Sequence, residues 1–345
     1  MNKRMLTENL KQMRVTSPDV DIVGDMPYKE GWLLNSFFAI GHFCVKEDTI
    51  DYLYHLMTYE IPGMDSMMIY CFSVTNETTG EYEQFCETYP LAETTADPQE
   101  FRLITPNGFM KGTLDDLVFQ ATSDKISLDL QLTAVGYPLY NGGTGKFRMA
   151  GMELYEYSIP TLRTNGTITL NGKDYEVRNG LSWYDRQWEI KIPKMPGIVK
   201  NAASKMMSGK SSGFNDLKWG WMDINLENGD VLSTWFTGDD EEGSCWATLM
   251  HPDGSSKQVD VSPVAPSLTE YWTSPASGNR YPMSYRIAIP DLDADLAVTC
   301  LVKDQELYFR DMPMLNHYEG ASAVSGTYQG KPVKGYCYVE LLGQW

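Results

Sequence analysis

Much that would point to a familiar class is missing from this 345-residue chain. Its first 20 residues, MNKRMLTENLKQMRVTSPDV, lack the continuous apolar core that a secretion signal needs. No apolar run approaches the length of a membrane-spanning helix. Positive charge is scarce, with 28 Lys and Arg against 46 Asp and Glu, and a net charge of −18 repels nucleic-acid phosphates. The six cysteines (Cys44, Cys71, Cys86, Cys245, Cys300 and Cys337) form no CxxC pair, and several lie in apolar strand contexts such as FFAIGHFCV and KGYCYVEL. Buried free thiols in a reducing compartment are expected, and the chain reads as cytoplasmic. The 4 His show no ligand-type spacing, so no metal site is expected. The glycine-rich stretch 137–151 has no Lys-Ser/Thr in register and is rejected as a phosphate loop.

What the chain does have is aromatic residues, 12% of the total with 21 Tyr and 9 Trp, enough to wall large apolar cavities as well as fill cores. Residues 28–45, 51–61, 66–74 and 81–89 are rich in aromatic and β-branched residues and are separated by turn signals such as Pro62-Gly63. Over 126–132, ISLDLQL alternates apolar and polar residues, the mark of a half-buried strand. Asn171-Gly172 within GTITLNGKDYEV is a strong hairpin signal, and KWGWMDINL with 231–237 flanks another turn at ENGD. No βαβ rhythm appears. The expectation is an all-β chain of antiparallel barrels or sandwiches, divided near the 160–180 hairpin after a polar arm at 1–23. The segment 191–215 carries Lys but no acid; it suits a lid or a transient membrane-surface contact, or a plain solvated loop.

The stretch that organises these parts is LSWYDRQWEI at 181–190. On an extended strand Trp183, Asp185 and Gln187 share one face, and Tyr184, Arg186 and Trp188 the other. A wet strand has no use for two Trp, and a dry one has none for Asp and Arg unless they are paired. Two readings follow. Asp185 and Arg186 pair to fasten two layers, or a polar group is held inside an aromatic-walled space. Asp185 is the leading candidate for general acid or base, because an apolar pocket keeps a carboxyl neutral enough to donate a proton. Asp223 alternates with Trp219 and Trp221 in WGWMDINL, and His42 follows Gly41 at the end of an apolar strand.

SWYDRQW resembles the W-Y-D-R-x-W signature of the AttH-like and carotenoid 1,2-hydratase-like proteins. GWLLNSFFAIGHF, YEYSIPTLRTNGTITLNGKDYEV, KWGWMDINLENGD, YWTSPASGNRYP and YEGASAVSGTYQGKPVKGYCYVELLG are similar to other segments of that family in the same order. The resemblance spans roughly residues 28–345. It implies two lipocalin-like antiparallel β-barrels in tandem, at 24–178 and 179–345, with a hydrophobic pocket formed by or between them. It further implies chemistry without a cofactor on an apolar unsaturated small molecule (polyene, terpenoid, fatty acid or steroid), as a hydratase, double-bond isomerase or cyclase. A non-catalytic carrier of a hydrophobic ligand is the alternative. The catalytic candidates are then Asp185, Asp223, Arg186, Tyr184 and His42. Trp183, Trp188, Trp219 and Trp221 are the candidate walls, and the resemblance draws in Tyr318 and Glu319. One departure stands out: the carotenoid hydratases tend to carry His beside the motif Asp, where this chain has Arg186, which stays protonated and cannot shuttle protons.

Overall fold

Two burial patterns divide the strands of this protein. In Asp116–Thr122 and Ile126–Ala134, buried Leu117, Phe119, Leu128 and Leu130 alternate with wet residues, so one face meets solvent. Trp32–Val45, Asp48–Tyr59 and Met67–Asn76 are buried on both faces almost throughout, as is the second half of Lys173–Lys191. A strand buried on both faces must lie between two layers. The computed structural model describes residues 17–60, 65–149, 152–191, 218–237, 245–343 and 345, and shows what those layers are.

Among the described residues there are two large antiparallel sheets, of 13 and 9 strands. At the centre of the first, Asp48–Tyr59 pairs with Trp32–Val45, which pairs with Lys173–Lys191, which pairs with Met152–Leu170. The second is centred on Trp219–Leu226, with Val231–Thr237 on one side and the closing hairpin His317–Tyr328 and Lys331–Leu342 on the other. Each sheet curls around its own apolar core, so the chain is all-β, two lipocalin-like half-barrels in tandem. No helix among the described residues is long and apolar enough to cross a membrane.

The long hairpin extends well past the stretch that its turn signals mark. Asn171 (φ 50°) and Gly172 (φ 80°) make the tight turn, and each arm then runs 19 residues. Register shifts at Ile159/Leu162 and Thr164/Gly166 let arms of this length follow the curl, with Pro160, which has no N–H to donate, at the first. Among the described residues, the last strand of the first sheet ends at Lys191 and the first strand of the second begins at Trp219. Turn residues locate the tip of a hairpin but carry no signal for where its arms end.

A third apolar cluster lies between the sheets. Phe38, Leu53, Ile69 and Trp183 enter it from the first, Trp221, Trp235 and Tyr338 from the second. Their chain neighbours Phe37, Tyr54, Tyr70 and Tyr184 point the other way, into the first core. Of the expected arm, residues 1–16 lie outside the described residues; Val20 is buried in the first core, and Asp19 N–H donates to Thr144 O at 2.8 Å. The proposed lid or membrane contact falls, beyond Lys191, outside the described residues. Cys71, Cys245 and Cys337 are buried and Cys44 is exposed.

A candidate active site in the seam between the sheets

The alternation of SWYDRQW decides which of its side chains enter the seam. Asp185 faces it, paired across the sheet with Phe38 on one side and Ser158 on the other. Only 6% of Asp185 is exposed, and Trp183 Nε1–H donates to its Oδ1 at 2.7 Å. Burial pushes its pKa up to about 7, against the opposing pull of hydrogen bonds from Ser158 and Trp183. Arg186 faces the first core and does not pair with Asp185. Its guanidinium donates to the carbonyls of Asp25 at 3.0 Å, Pro27 at 2.9 Å and Gln187 at 2.6 Å, and to Asn35 Oδ1 at 2.8 Å. It lies 4.2 Å from the centre of the Phe37 ring, anchoring residues 25–27 against the barrel. Tyr184 packs against Phe101 and Phe119 in the same core, and Trp188 stacks on Tyr155.

Around Asp185 the seam collects acids. Glu156, Asp223 and Glu319 are each at most 2% exposed, and Glu189 and Glu340 are partly buried. Glu319 and Glu340 stand directly opposite each other on the closing hairpin, an arrangement that is unfavourable when both are ionised. Burial raises the pKa of Glu156, Asp223, Glu319 and Glu340 well above the carboxylate range, and the Asp185 charge adds to each. Among the described residues the only buried Lys or Arg is Arg186, which faces away. Part of this cluster is therefore protonated at neutral pH. Asn141 Nδ2 bridges Glu156 Oε1 at 2.9 Å and Ser158 Oγ at 3.1 Å. Asp223 accepts from Asn225 Nδ2 at 2.9 Å and from the Tyr338 N–H. Trp183 and Trp221 meet edge to face at 5.9 Å, one indole from each sheet, and Trp219 stacks on Trp235.

Three histidines join the acids. His42 lines a small, partly open cleft with Asp51, Trp183, Asp223 and Tyr336. Its Nδ1 lies 2.7 Å from Asp51 Oδ1 and 3.4 Å from Glu77 Oε1, and its ring stacks on Tyr336. Burial lowers its pKa, but the hydrogen bonds to Asp51 and Glu77 outweigh that and raise it to about 10, so His42 is an imidazolium at neutral pH. His55 is the opposite case: burial, helped by nearby His317, lowers its pKa to about 3. His55, His317 and Glu319 each offer a ligand atom within 4.8 Å of the others, a set that could hold a metal ion.

Of the residues singled out from sequence, the structure gathers Asp185, Trp183, Asp223, Trp219, Trp221, His42 and Glu319 along the seam. Tyr184, Arg186 and Trp188 belong to the first core, and Tyr318 to the second, where its hydroxyl donates to Val302 O at 3.1 Å. Sequence reasoning missed Glu156, Glu189, Glu340, His55 and His317. A signal for some of them was available: a titratable residue inside a run with no solvent-facing positions, such as His55 in DTIDYLYHLMTY, has to be buried.

The family model described as AttH-like matches residues 65–344. The dehydratase asqC of Emericella nidulans is 23% identical over 290 residues, covering 79% of this chain and 76% of that protein. The kievitone hydratase of Fusarium solani subsp. phaseoli is 26% identical over 282 residues, covering 78% of this chain and 72% of that one. The crystal structure of an AttH protein from Nitrosomonas europaea superposes with a TM-score of 0.76 at 20% identity, covering 96% of this chain and 99% of the other.

Proposed function

The chain belongs to the AttH-like family, and from that premise we propose that it is a lyase that adds water to, or removes it from, a hydrophobic unsaturated small molecule, with Asp185 and Asp223 as its acid–base pair. One observation carries this reading: a group of buried carboxyls, with no buried Lys or Arg beside them among the described residues, shares an aromatic-walled seam between two barrels. Two carboxyls whose charges disfavour each other share protons, so one is a neutral acid while the other is a base. In the dehydrating direction, the acid protonates a leaving hydroxyl, the C–O bond breaks and water departs. The carboxylate then takes a proton from the adjacent carbon as the double bond forms. Hydration is the same path reversed, which suits a family with both a hydratase and a dehydratase among the named relatives. Trp183 and Trp221 would offer their π-faces to positive charge developing on carbon. The roles of Arg186 and Tyr184 in this reading are to hold the motif strand in place from the opposite face.

The test is a mass-spectrometric screen of the purified protein in heavy water, with unsaturated fatty acids, terpenoids, polyenes and steroids and their tertiary or allylic alcohols. Gain or loss of one heavy-water molecule, abolished in Asp185→Asn and Asp223→Asn, supports the lyase. Deuterium at C–H positions without net hydration would replace it with an isomerase, and unlabelled cyclised product with a cyclase. Retention of a ligand unchanged by wild type and by both variants would leave a carrier.

A further inference from the structure

The seam holds a second group of side chains that the acid–base pair does not use. We infer that His55, His317 and Glu319 form a binding site for one divalent transition-metal ion, with zinc the ion their donors fit best. The site goes beyond the lyase reading and does not rest on it.

His317 Nδ1 lies 2.6 Å from Leu315 O; a carbonyl can only accept, so Nδ1 carries the proton and Nε2 presents its lone pair. That Nε2 is 3.5 Å from Glu319 Oε1. On His55, Nε2 is taken by Ser36 Oγ at 2.8 Å, and Nδ1, buried, has no partner. Glu319 is 0% exposed; its carboxyl faces that of Glu340 across the closing hairpin, and no N–H or hydroxyl among the described residues donates to either of its oxygens. Buried acceptors left without a donor are costly, and His55 Nδ1 and the Glu319 carboxylate, converging with His317 Nε2 on one point, call for a common ligand.

The geometry suits a cation. The three ligand atoms lie within 4.8 Å of one another. Ligands about 2.1 Å from a tetrahedral zinc stand roughly 3.4 Å apart, which the His317–Glu319 separation already matches. Each imidazole also has its outer nitrogen held, one by a carbonyl and one by a hydroxyl, as metal-binding histidines do. Two His and one carboxylate leave a fourth position for water or a substrate oxygen. The His42 cluster differs, because there the ring nitrogen nearest the acids is already bonded to Asp51. The site would also tie the barrels together, since His55 comes from the first sheet and His317 and Glu319 from the second.

To test this, full-length protein is stripped with chelator and then dialysed against Zn²⁺ or Co²⁺. Because the ligands are closed off from solvent, a second sample is refolded from guanidinium with the metal present. Elemental analysis after gel filtration should give one ion per chain in at least one preparation, and Co²⁺ should show visible bands of a four- or five-coordinate nitrogen–oxygen site. Glu319→Gln and His55→Ala, each checked for folding by circular dichroism, should weaken binding at least 100-fold. Ser36→Ala, which only releases the outer nitrogen of His55, should weaken it about 10- to 100-fold. The half-exposed His251→Asn should leave binding unchanged. No bound ion in either preparation, or one ion held equally well by Glu319→Gln and His55→Ala, would overturn the assignment. Binding is read without turnover, so this outcome is separate from the fate of the lyase reading.

Discussion

Replacing Asp185 by Asn should make the protein more stable, and only at the high end of the pH range. The folded pKa of Asp185 is raised from 3.8 to about 7. Between those values the folded chain holds a proton that the unfolded chain has released, so wild-type stability falls as pH rises through this window and is level above it. A shift of about 3 units corresponds to about 4 kcal/mol lost by pH 8. Glu156 and Glu340 share the same field, so about 2 kcal/mol is the working expectation for this residue alone. Asn is neutral throughout and keeps an oxygen to accept from Trp183 Nε1–H. The variant should therefore match wild type near pH 4 and exceed it at pH 8. Urea unfolding followed by Trp fluorescence at pH 4, 6 and 8 reads the difference in midpoint directly. A difference that does not change with pH, or an Asn variant less stable at pH 8, would show that Asp185 is not a strained, shared-proton acid. A variant that is more stable but inactive would be the mark of a site that trades stability for chemistry.

Trp183→Phe removes a donor that favours the ionised form of Asp185, so the pH range over which stability falls should extend to higher pH at its upper end. Arg186→Met leaves the carbonyls of Asp25, Met26 and Pro27 without their donor. It should cost about 3 kcal/mol and speed amide exchange over 17–30, while the pH dependence assigned to Asp185 stays as in wild type; a shift in that dependence would place Arg186 in the site after all. His42 is raised from 6.5 to about 10, so the stability it contributes is present below pH 6.5 and lost as pH rises through about 10. Wild type should thus lose ground to His42→Asn between those values, and an NMR titration of the His42 ring should find it charged at pH 8.

The strand content, the tight turn at Asn171-Gly172, the face assignment within SWYDRQW and the family were all legible in the sequence. They depend on period-2 alternation, on φ > 0 at turn residues and on local motifs, each written within a few consecutive positions. Even the seam left a trace, since WLLNSFFAIGHF and MMIYCFSV lack the alternation of ISLDLQL. Pairings across long distances were decided only by the folded chain. Alternation could say that Asp185 and Arg186 face opposite ways, but not that Arg186 would be satisfied by carbonyls of residues 25–27. Nor could spacing along the chain show His55 beside His317 and Glu319, or Glu156 and Glu340 near Asp185, because those residues share no local period. The raised pKa values belong to the same class: a carboxyl's proton affinity is set by the water and charges removed from around it, and in this protein that environment exists only once the second sheet has closed over the first.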